Sequence, residues 1–143
     1  MNIIILSKED INCILELFSS DFEDGWNKNQ LSSSFDSGLF LCLGAFEQDK
    51  LVGVICATKS FESADIESVV VKKEFRNKGI ASLLLKELFT LLEKEENITK
   101  ILLEVRESNI SAISLYKKHN FNQISVRKKY YDNGENALIF IRE

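Results

Sequence analysis

A short basic turn that joins a hydrophobic strand to a helix is the part of this sequence best suited to bind an anion. Residues 69–71 are all valine, polar turn-forming residues follow, and apolar residues at helical spacing come next. The first N–H groups of a helix have no partner within the helix, and the small residues Gly79 and Ala81 let a ligand approach them. The helix dipole and the cations Arg76 and Lys78 favour negative charge there. The turn predicts a phosphate or pyrophosphate site, with a solvent-exposed basic turn as the alternative.

Two common phosphate-binding motifs do not fit this turn. A P-loop has its lysine after the last glycine, whereas Lys78 precedes Gly79. The dinucleotide-binding fingerprint has three glycines, and this turn has one. The ligand is therefore expected to bind by a different motif.

The pattern Arg-x-x-Gly-x-Ala in residues 76–81 resembles the acetyl-CoA pyrophosphate loop of the GNAT (GCN5-related N-acetyltransferase) superfamily. A second stretch, residues 103–116, resembles the ribosomal-protein alanine N-acetyltransferase (RimI) branch, which carries Leu-Glu-Val-Arg, then Ser-Asn, then Leu-Tyr in this order. Arg127 and the pair Tyr130-Tyr131 resemble the tail of the same branch. The resemblance spans nearly the whole chain.

The resemblance implies an α/β fold with a mixed, mostly antiparallel sheet of six to seven strands, a splayed parallel pair at its centre and about four helices. It implies acetyl-CoA as the co-substrate and no metal, with the pantetheine arm lying between the splayed strands. Asn109 is expected to orient the pantetheine or phosphate arm from the start of a helix, or else only to cap the helix. The residues expected to bind acetyl-CoA are Val69, Val70, Val71, Arg76, Asn77, Lys78, Gly79, Ile80, Ala81, Ser82 and Asn109.

Aminolysis of a thioester requires a base for the amine and a proton donor for the leaving thiolate. Glu104 interrupts an otherwise apolar strand, where burial would raise its pKa and suit it to act as the base, directly or through water. An ion pair with Arg106 or with a lysine is the alternative. Tyr116 is the candidate donor, or else a core aromatic. An N–H near Val70 would polarise the thioester carbonyl.

The leading functional hypothesis is acetylation of a protein N-terminus, with the N-terminal alanine of ribosomal protein S18 as the acceptor that the resemblance implies. A small-molecule or lysine amine acetyltransferase on the same scaffold is a close alternative. A non-catalytic acyl-CoA-binding module is a third hypothesis, which the presence of both Glu104 and Tyr116 disfavours. The sequence leaves the acceptor and the oligomeric state open.

Hydrophobic periodicity predicts the elements that position these groups. The predicted strands cover residues 2–6, 39–47, 51–59, 61–71, 101–105, 121–130 and 137–141. The predicted helices cover residues 11–18, 30–35, 81–92 and 112–119. The polar segment 21–38, which carries Phe22, Trp26 and Phe35, is expected to form a lip over the substrate or to cover the core.

Length and composition indicate one domain, 1–143, of an ordinary globular protein, with 45% hydrophobic and 28% charged residues. The resemblance implies that it is an N-acetyltransferase domain. A net charge of −4 argues against general binding to nucleic acid or to anionic membranes. The sequence has no 18-residue apolar run and no recognisable signal peptide, which favours a cytoplasmic location. The three cysteines are expected to be buried free thiols, and His119 is expected to be a surface residue or a cation at a helix end.

Overall fold

The computed structural model describes residues 1–21 and 26–143, so Phe22 of the expected lip lies outside the described residues. The strands are β1 (Asn2–Ile5), β2 (Phe40–Glu47), β3 (Lys50–Ser60), β4 (Ser63–Val71), β5 (Lys100–Arg106), β6 (Asn122–Arg127) and β7 (Ala137–Arg142). The α-helices are α1 (Ile11–Asp21), α2 (Lys28–Asp36), α3 (Ile80–Glu93) and α4 (Ile110–Lys118). None of the helices in these ranges is long and apolar enough to cross a membrane.

The strands form one sheet in the order β1-β2-β3-β4-β5-β7-β6. Only β4 and β5 run parallel, and they pair over four positions, from Ser63 with Lys100 to Ile66 with Leu103. Beyond Ile66 and Leu103 the two strands diverge. This confirms the predicted α/β class, with a mostly antiparallel sheet, a splayed central parallel pair and four helices.

Helices cover both faces of the sheet, and two apolar clusters fill the spaces between them. The cluster under α3 and α4 includes Ile66, Leu84, Leu88, Leu103, Val105 and Tyr116. The cluster under α1 and α2 includes Ile14, Phe18, Leu31, Val54, Cys56 and Val70. Because side chains alternate along a strand, Leu103 and Val105 face α4, whereas Glu104 faces the opposite side.

A β-bulge in β4 changes the phase of this alternation. Cys56 of β3 pairs with Ser68, but the next residue, Ala57, pairs with Ile66, so Glu67 is the additional residue. Ile66 before the bulge and Val69 after it both pack in the α3 and α4 cluster. Val70 instead packs against α1. The bulge lies where β4 separates from β5, and such irregularities turn side chains in new directions.

Two expectations from the sequence are wrong, one about a cysteine and one about the length of a strand. Cys42 and Cys56 are buried free thiols as predicted, but Cys13 is exposed, because its position on α1 points away from the apolar face. The predicted strand 121–130 is also shorter in the structure. β6 ends at Arg127, and residues 128–136 connect it to β7.

Candidate active site

A cavity of about 750 Å³ lies where β4 and β5 separate. It brings together four residues that the sequence predicted to act at one site: Val69, Glu104, Asn109 and Tyr116. Its other polar and aromatic lining residues are Trp26, Asp65, Glu67, Ser68, Arg106, Arg127, Tyr130 and Tyr131. The described lining residues include none from the 76–82 turn, which instead follows the end of the β4 wall.

The cavity has two sides, because it passes through the gap in the sheet. Val69, Leu103 and Tyr116 belong to the cluster under α3 and α4 and define what we call the α4 side. Glu104 faces the other way, and Trp26 packs between Phe18 and Phe40 on the same face as α1. We call this the α1 side. Trp26 therefore both covers the core and lines the cavity, which combines the two predicted roles of its segment.

The backbone of β4 is open towards the gap at alternate residues. Lys72 N–H donates to the Val52 carbonyl of β3 at 2.8 Å. Since successive residues of a strand direct their backbone groups to opposite edges, Val70 also faces β3, whereas Val69 and Val71 face the gap. The sequence predicted a donor near Val70, and the ladder phase points to the adjacent residue. The phase of the β3–β4 ladder makes Val69 the donor in the cavity.

The turn after β4 has the geometry of an anion site. The Arg76 Nε donates to the Val71 carbonyl at 2.9 Å and closes the turn. Gly79 is the N-cap of α3 with φ +82°, and apart from Lys78, Gly79 and Ile80 themselves, no heavy atom of the described residues lies within 4 Å of the place where a Cβ would be. The first helical hydrogen bond runs from Leu83 N–H to the Gly79 carbonyl, so the preceding N–H groups remain available to a ligand.

Tyr116 presents a buried phenol to the α4 side of the cavity. Its ring lies 5.7 Å from that of Phe121, and the residue is 8% exposed. Desolvation by burial raises the pKa of Tyr116 from its ordinary value of 10 to about 12. The hydroxyl is therefore protonated at neutral pH and able to donate a hydrogen bond.

Glu104 is paired rather than buried. Its Oε1 lies 3.2 Å from the Nε of Arg127, and its side chain is 32% exposed. The expected burial is wrong, because strand alternation turns this side chain to the open α1 side. The expected alternative partner is also wrong. Arg106 contacts Glu135 at 3.3 Å and lies 3.9 Å from the ring centre of Tyr131, and β6 supplies Arg127 instead.

Asn109 is the N-cap of α4. Its Oδ1 accepts from Ala112 N–H and from the Ser111 hydroxyl, both at 3.2 Å. Capping is therefore confirmed, while a contact with a cofactor remains a prediction. The side chain lies in the cavity wall, where its amide NH₂ group is the donor suited to a ligand.

His119 differs from its prediction as a surface residue or cation. It is 9% exposed, and its Nε2 lies 3.0 Å from the hydroxyl of Ser82 in the first turn of α3. Burial lowers the pKa of His119, and the charges of Lys86, Lys118 and Arg142 lower it further. The ring is thus neutral at pH 7 and holds the Ser82 side chain.

The lining residues that were not predicted as site residues include three polar residues of β4: Asp65, Glu67 and Ser68. The sequence signal for these three residues was the run of polar residues in β4 before the three valines. That they line the cavity depends on the bulge in β4, which the sequence does not reveal. Within the ranges 1–21 and 26–143, no three side chains of His, Cys, Asp or Glu are grouped so that they could hold a metal ion.

Comparison with known proteins gives a consistent result. Residues 11–121 match the sequence profile of the acetyltransferase (GNAT) family. An N-alpha-acetyltransferase of Saccharolobus solfataricus is 43% identical over 77 residues, which cover 54% of this chain and 46% of that protein, so the match spans about half of that relative. A ribosomal protein bS18-alanine N-acetyltransferase of Haemophilus ducreyi is 31% identical over 136 residues, which cover 92% of each chain.

The fold has a close structural counterpart. The crystal structure of NAA60 from Arabidopsis thaliana in complex with acetyl-CoA superposes with a TM-score of 0.90 over 99% of this chain and 97% of that one. The sequence identity is 15%, so this likeness concerns the fold alone.

Proposed function

The chain belongs to the GNAT acetyltransferase family and is an acetyl-CoA-dependent N-acetyltransferase, and we propose that its acceptor is the N-terminal alanine of ribosomal protein bS18 or a similar protein N-terminus. One observation carries this proposal. The cavity between β4 and β5 joins an open strand edge on its α4 side to a carboxylate on its α1 side. The two substrates of an acetyl transfer could therefore meet within the sheet.

The residues around the gap fit acetyl-CoA. Val69 and Val71 direct backbone groups towards the gap, where an extended pantetheine arm can pair with them as a strand would. The N-terminus of α3, with Gly79 as its cap, would hold the pyrophosphate. Asn109 caps the start of α4, and Ser82 lies in the first turn of α3, where His119 from the end of α4 bonds to it. Acetyl-CoA supplies an acetyl group activated as a thioester.

The acceptor would approach from the α1 side, where Glu104 faces the open part of the cavity. A protein α-amine has a pKa of about 7.7–8.0, so it must lose a proton to act as a nucleophile at neutral pH. Glu104 accepts that proton after the amine replaces Arg127 as its partner. The new C–N bond then forms, and the Val69 N–H stabilises the negative charge on the carbonyl oxygen. The nitrogen releases its second proton to solvent on the open α1 side.

The leaving group would depart on the α4 side. As the C–S bond breaks, negative charge develops on sulfur, and the Tyr116 hydroxyl donates a hydrogen bond to it. Base and donor come from opposite sides of the gap. Proton removal and thiolate departure therefore do not compete for the same space.

A competition among amines tests the proposal. The protein would be incubated with acetyl-CoA and four acceptors: an alanine-initiated peptide, the same peptide with a blocked α-amine and one internal lysine, a polyamine, and an amino sugar. Mass spectrometry would locate the acetyl group. We expect acetylation of the alanine α-amine, and acetylation confined to the lysine, the polyamine or the sugar would overturn the proposed acceptor.

A further inference from the structure

Three polar side chains of β4 lie in the cavity wall without a part in the transfer chemistry. They are Asp65, Glu67 and Ser68, and we call them the β4 polar wall. Asp65 lies two residues before the bulge position Glu67, so both carboxylates are carried by the strand segment that borders the start of the gap.

Ser68 is a buried hydroxyl with no hydrogen-bond partner. The residue is 6% exposed, and its Oγ makes no hydrogen bond within the part of the chain that the structure describes. A buried polar group that remains unpaired is unfavourable, and native proteins rarely leave one without a reason. Since Ser68 lines an open cavity, a ligand is a natural source of the missing partner.

The two carboxylates of the β4 polar wall have no cationic side chain paired with them among the described residues. Both arginines of the lining already contact a carboxylate, Arg106 that of Glu135 and Arg127 that of Glu104. Partial burial also raises the pKa of Asp65, as expected for a carboxylate that lacks a nearby cation.

We propose that the β4 polar wall is a subsite for a basic side chain, Arg or Lys, within the first few residues of the acceptor peptide. This inference rests on the proposed N-terminal acetylation. Two carboxylates and a hydroxyl are suitable acceptors for the several N–H donors of a guanidinium or an ammonium group.

The spacing along the sheet supports this assignment. Ile66 and Leu103 are the last paired residues, so Glu67 and Glu104 follow them at the same level on the two strands. Asp65 lies two residues before Glu67 in β4, roughly 7 Å away at about 3.3 Å per residue. An acceptor whose α-amine contacts Glu104 could therefore place the side chain of its second or third residue against the wall.

A peptide series tests the subsite. Alanine-initiated peptides of identical length would carry Arg, Gln or Glu at the second position and, in a second set, at the third. We expect wild-type kcat/KM to be about tenfold higher for Arg than for Gln at one of these positions, and lower still for Glu. The preference should decrease as salt is added, because the interacting charges are partly exposed.

Charge-neutral variants identify the residues responsible. Glu67→Gln and Asp65→Asn should each reduce the Arg preference by roughly threefold, a size typical of exposed ion pairs. Glu47→Gln removes the same charge from an exposed position at the end of β2 and should retain the full preference. Ser68→Ala should raise KM for the Arg peptide, while acetyl-CoA affinity and thermal stability stay at wild-type level or higher.

The outcomes separate the two proposals. Equal kcat/KM for Arg and Gln peptides in the wild-type enzyme would overturn the subsite and leave N-terminal acetylation standing. An Arg preference that survives in both carboxylate variants would place the basic side chain elsewhere and also overturn the subsite. If no peptide were acetylated at its α-amine, the proposed function and the subsite would both be wrong.

Discussion

Replacing Tyr116 by phenylalanine removes the proposed hydrogen bond to the leaving thiolate and little else. Burial raises the pKa of this tyrosine to about 12, whereas an ordinary thiol has a pKa of about 8.5. Complete proton transfer from Tyr116 to the thiolate would therefore be uphill by roughly 5 kcal/mol, at about 1.36 kcal/mol per pKa unit. We expect the hydroxyl to act as a hydrogen-bond donor to developing charge, without giving up its proton fully.

The expected size of the defect follows from this role. Loss of one donor to charge that develops in a transition state lowers kcat by roughly 10²–10³-fold. The phenylalanine ring keeps the contact with Phe121, so folding stability and acetyl-CoA affinity should change little. Because the hydroxyl stays protonated well beyond pH 10, the defect should be the same at every pH from 6 to 9.5.

A thiol-reactive dye that detects the released CoA thiol measures kcat for both enzymes from pH 6 to 9.5. Tyr130→Phe is the matched comparison, because it removes a half-exposed hydroxyl from the cavity wall and should mainly alter KM for the acceptor. A Tyr116→Phe enzyme within threefold of wild type would refute the role. A defect that disappeared with a midpoint near pH 8 would refute the raised pKa.

Four further predictions concern the site and its support. Glu104→Gln should lower kcat roughly a hundredfold near neutral pH and by less above pH 9, where the amine is already neutral. If pH–rate profiles show an equal loss at both pH values, Glu104 is not the base. Gly79→Val should weaken acetyl-CoA binding more than tenfold, as measured by calorimetry. A β-branched residue is strained at φ +82°, and its Cβ would cover the anion site. Lys78→Ala should have only a small effect on binding, and added salt should remove it. Asn109→Ala should lower the free energy of unfolding by about 1 kcal/mol and also weaken acetyl-CoA binding; a stability loss alone would leave Asn109 as a cap only. The pKa of His119 is lowered in the folded chain, so near pH 6.5 the unfolded chain takes up a proton that the folded chain does not. The free energy of unfolding, measured with urea, should therefore fall as the pH drops below about 6.5. His119→Gln should flatten that dependence, and an unchanged slope would contradict it.

Local sequence patterns predicted most of the fold because hydrophobic periodicity and helix capping depend on residues that are close in sequence. Leucines repeat at helical spacing in α3, and Leu84, Leu85, Leu88 and Leu92 are buried, while Leu91 is partly buried. Ser7 and Asp10, three residues apart, form a capping box just before α1. The three valines that end β4 and the apolar run of β5 identified the parallel pair, since two successive strand-turn-helix units place their strands side by side.

The parts that the sequence did not predict depend on how distant elements meet. The bulge at Glu67 sets which β4 residues face the gap, and therefore selects Val69 over Val70. The partner of Glu104 comes from a strand at the far edge of the sheet, beyond β7 in the order, so nothing near Glu104 in sequence indicates it. His119 reaches Ser82 only because the end of α4 lies close to the first turn of α3. Long-range packing, more than local propensity, decided these contacts.

The central claim is that the gap between β4 and β5 holds acetyl-CoA on its α4 side and the acceptor on its α1 side. A crystal structure of the protein with a bisubstrate analogue, in which CoA is joined to the α-amine of an alanine-initiated peptide, tests this most directly. We predict the pyrophosphate on the N–H groups at the start of α3, the pantetheine arm along Val69 and Val71, and the junction between Glu104 and Tyr116. An analogue bound with its pantetheine outside the gap, or with its peptide on the α4 side, would contradict the account.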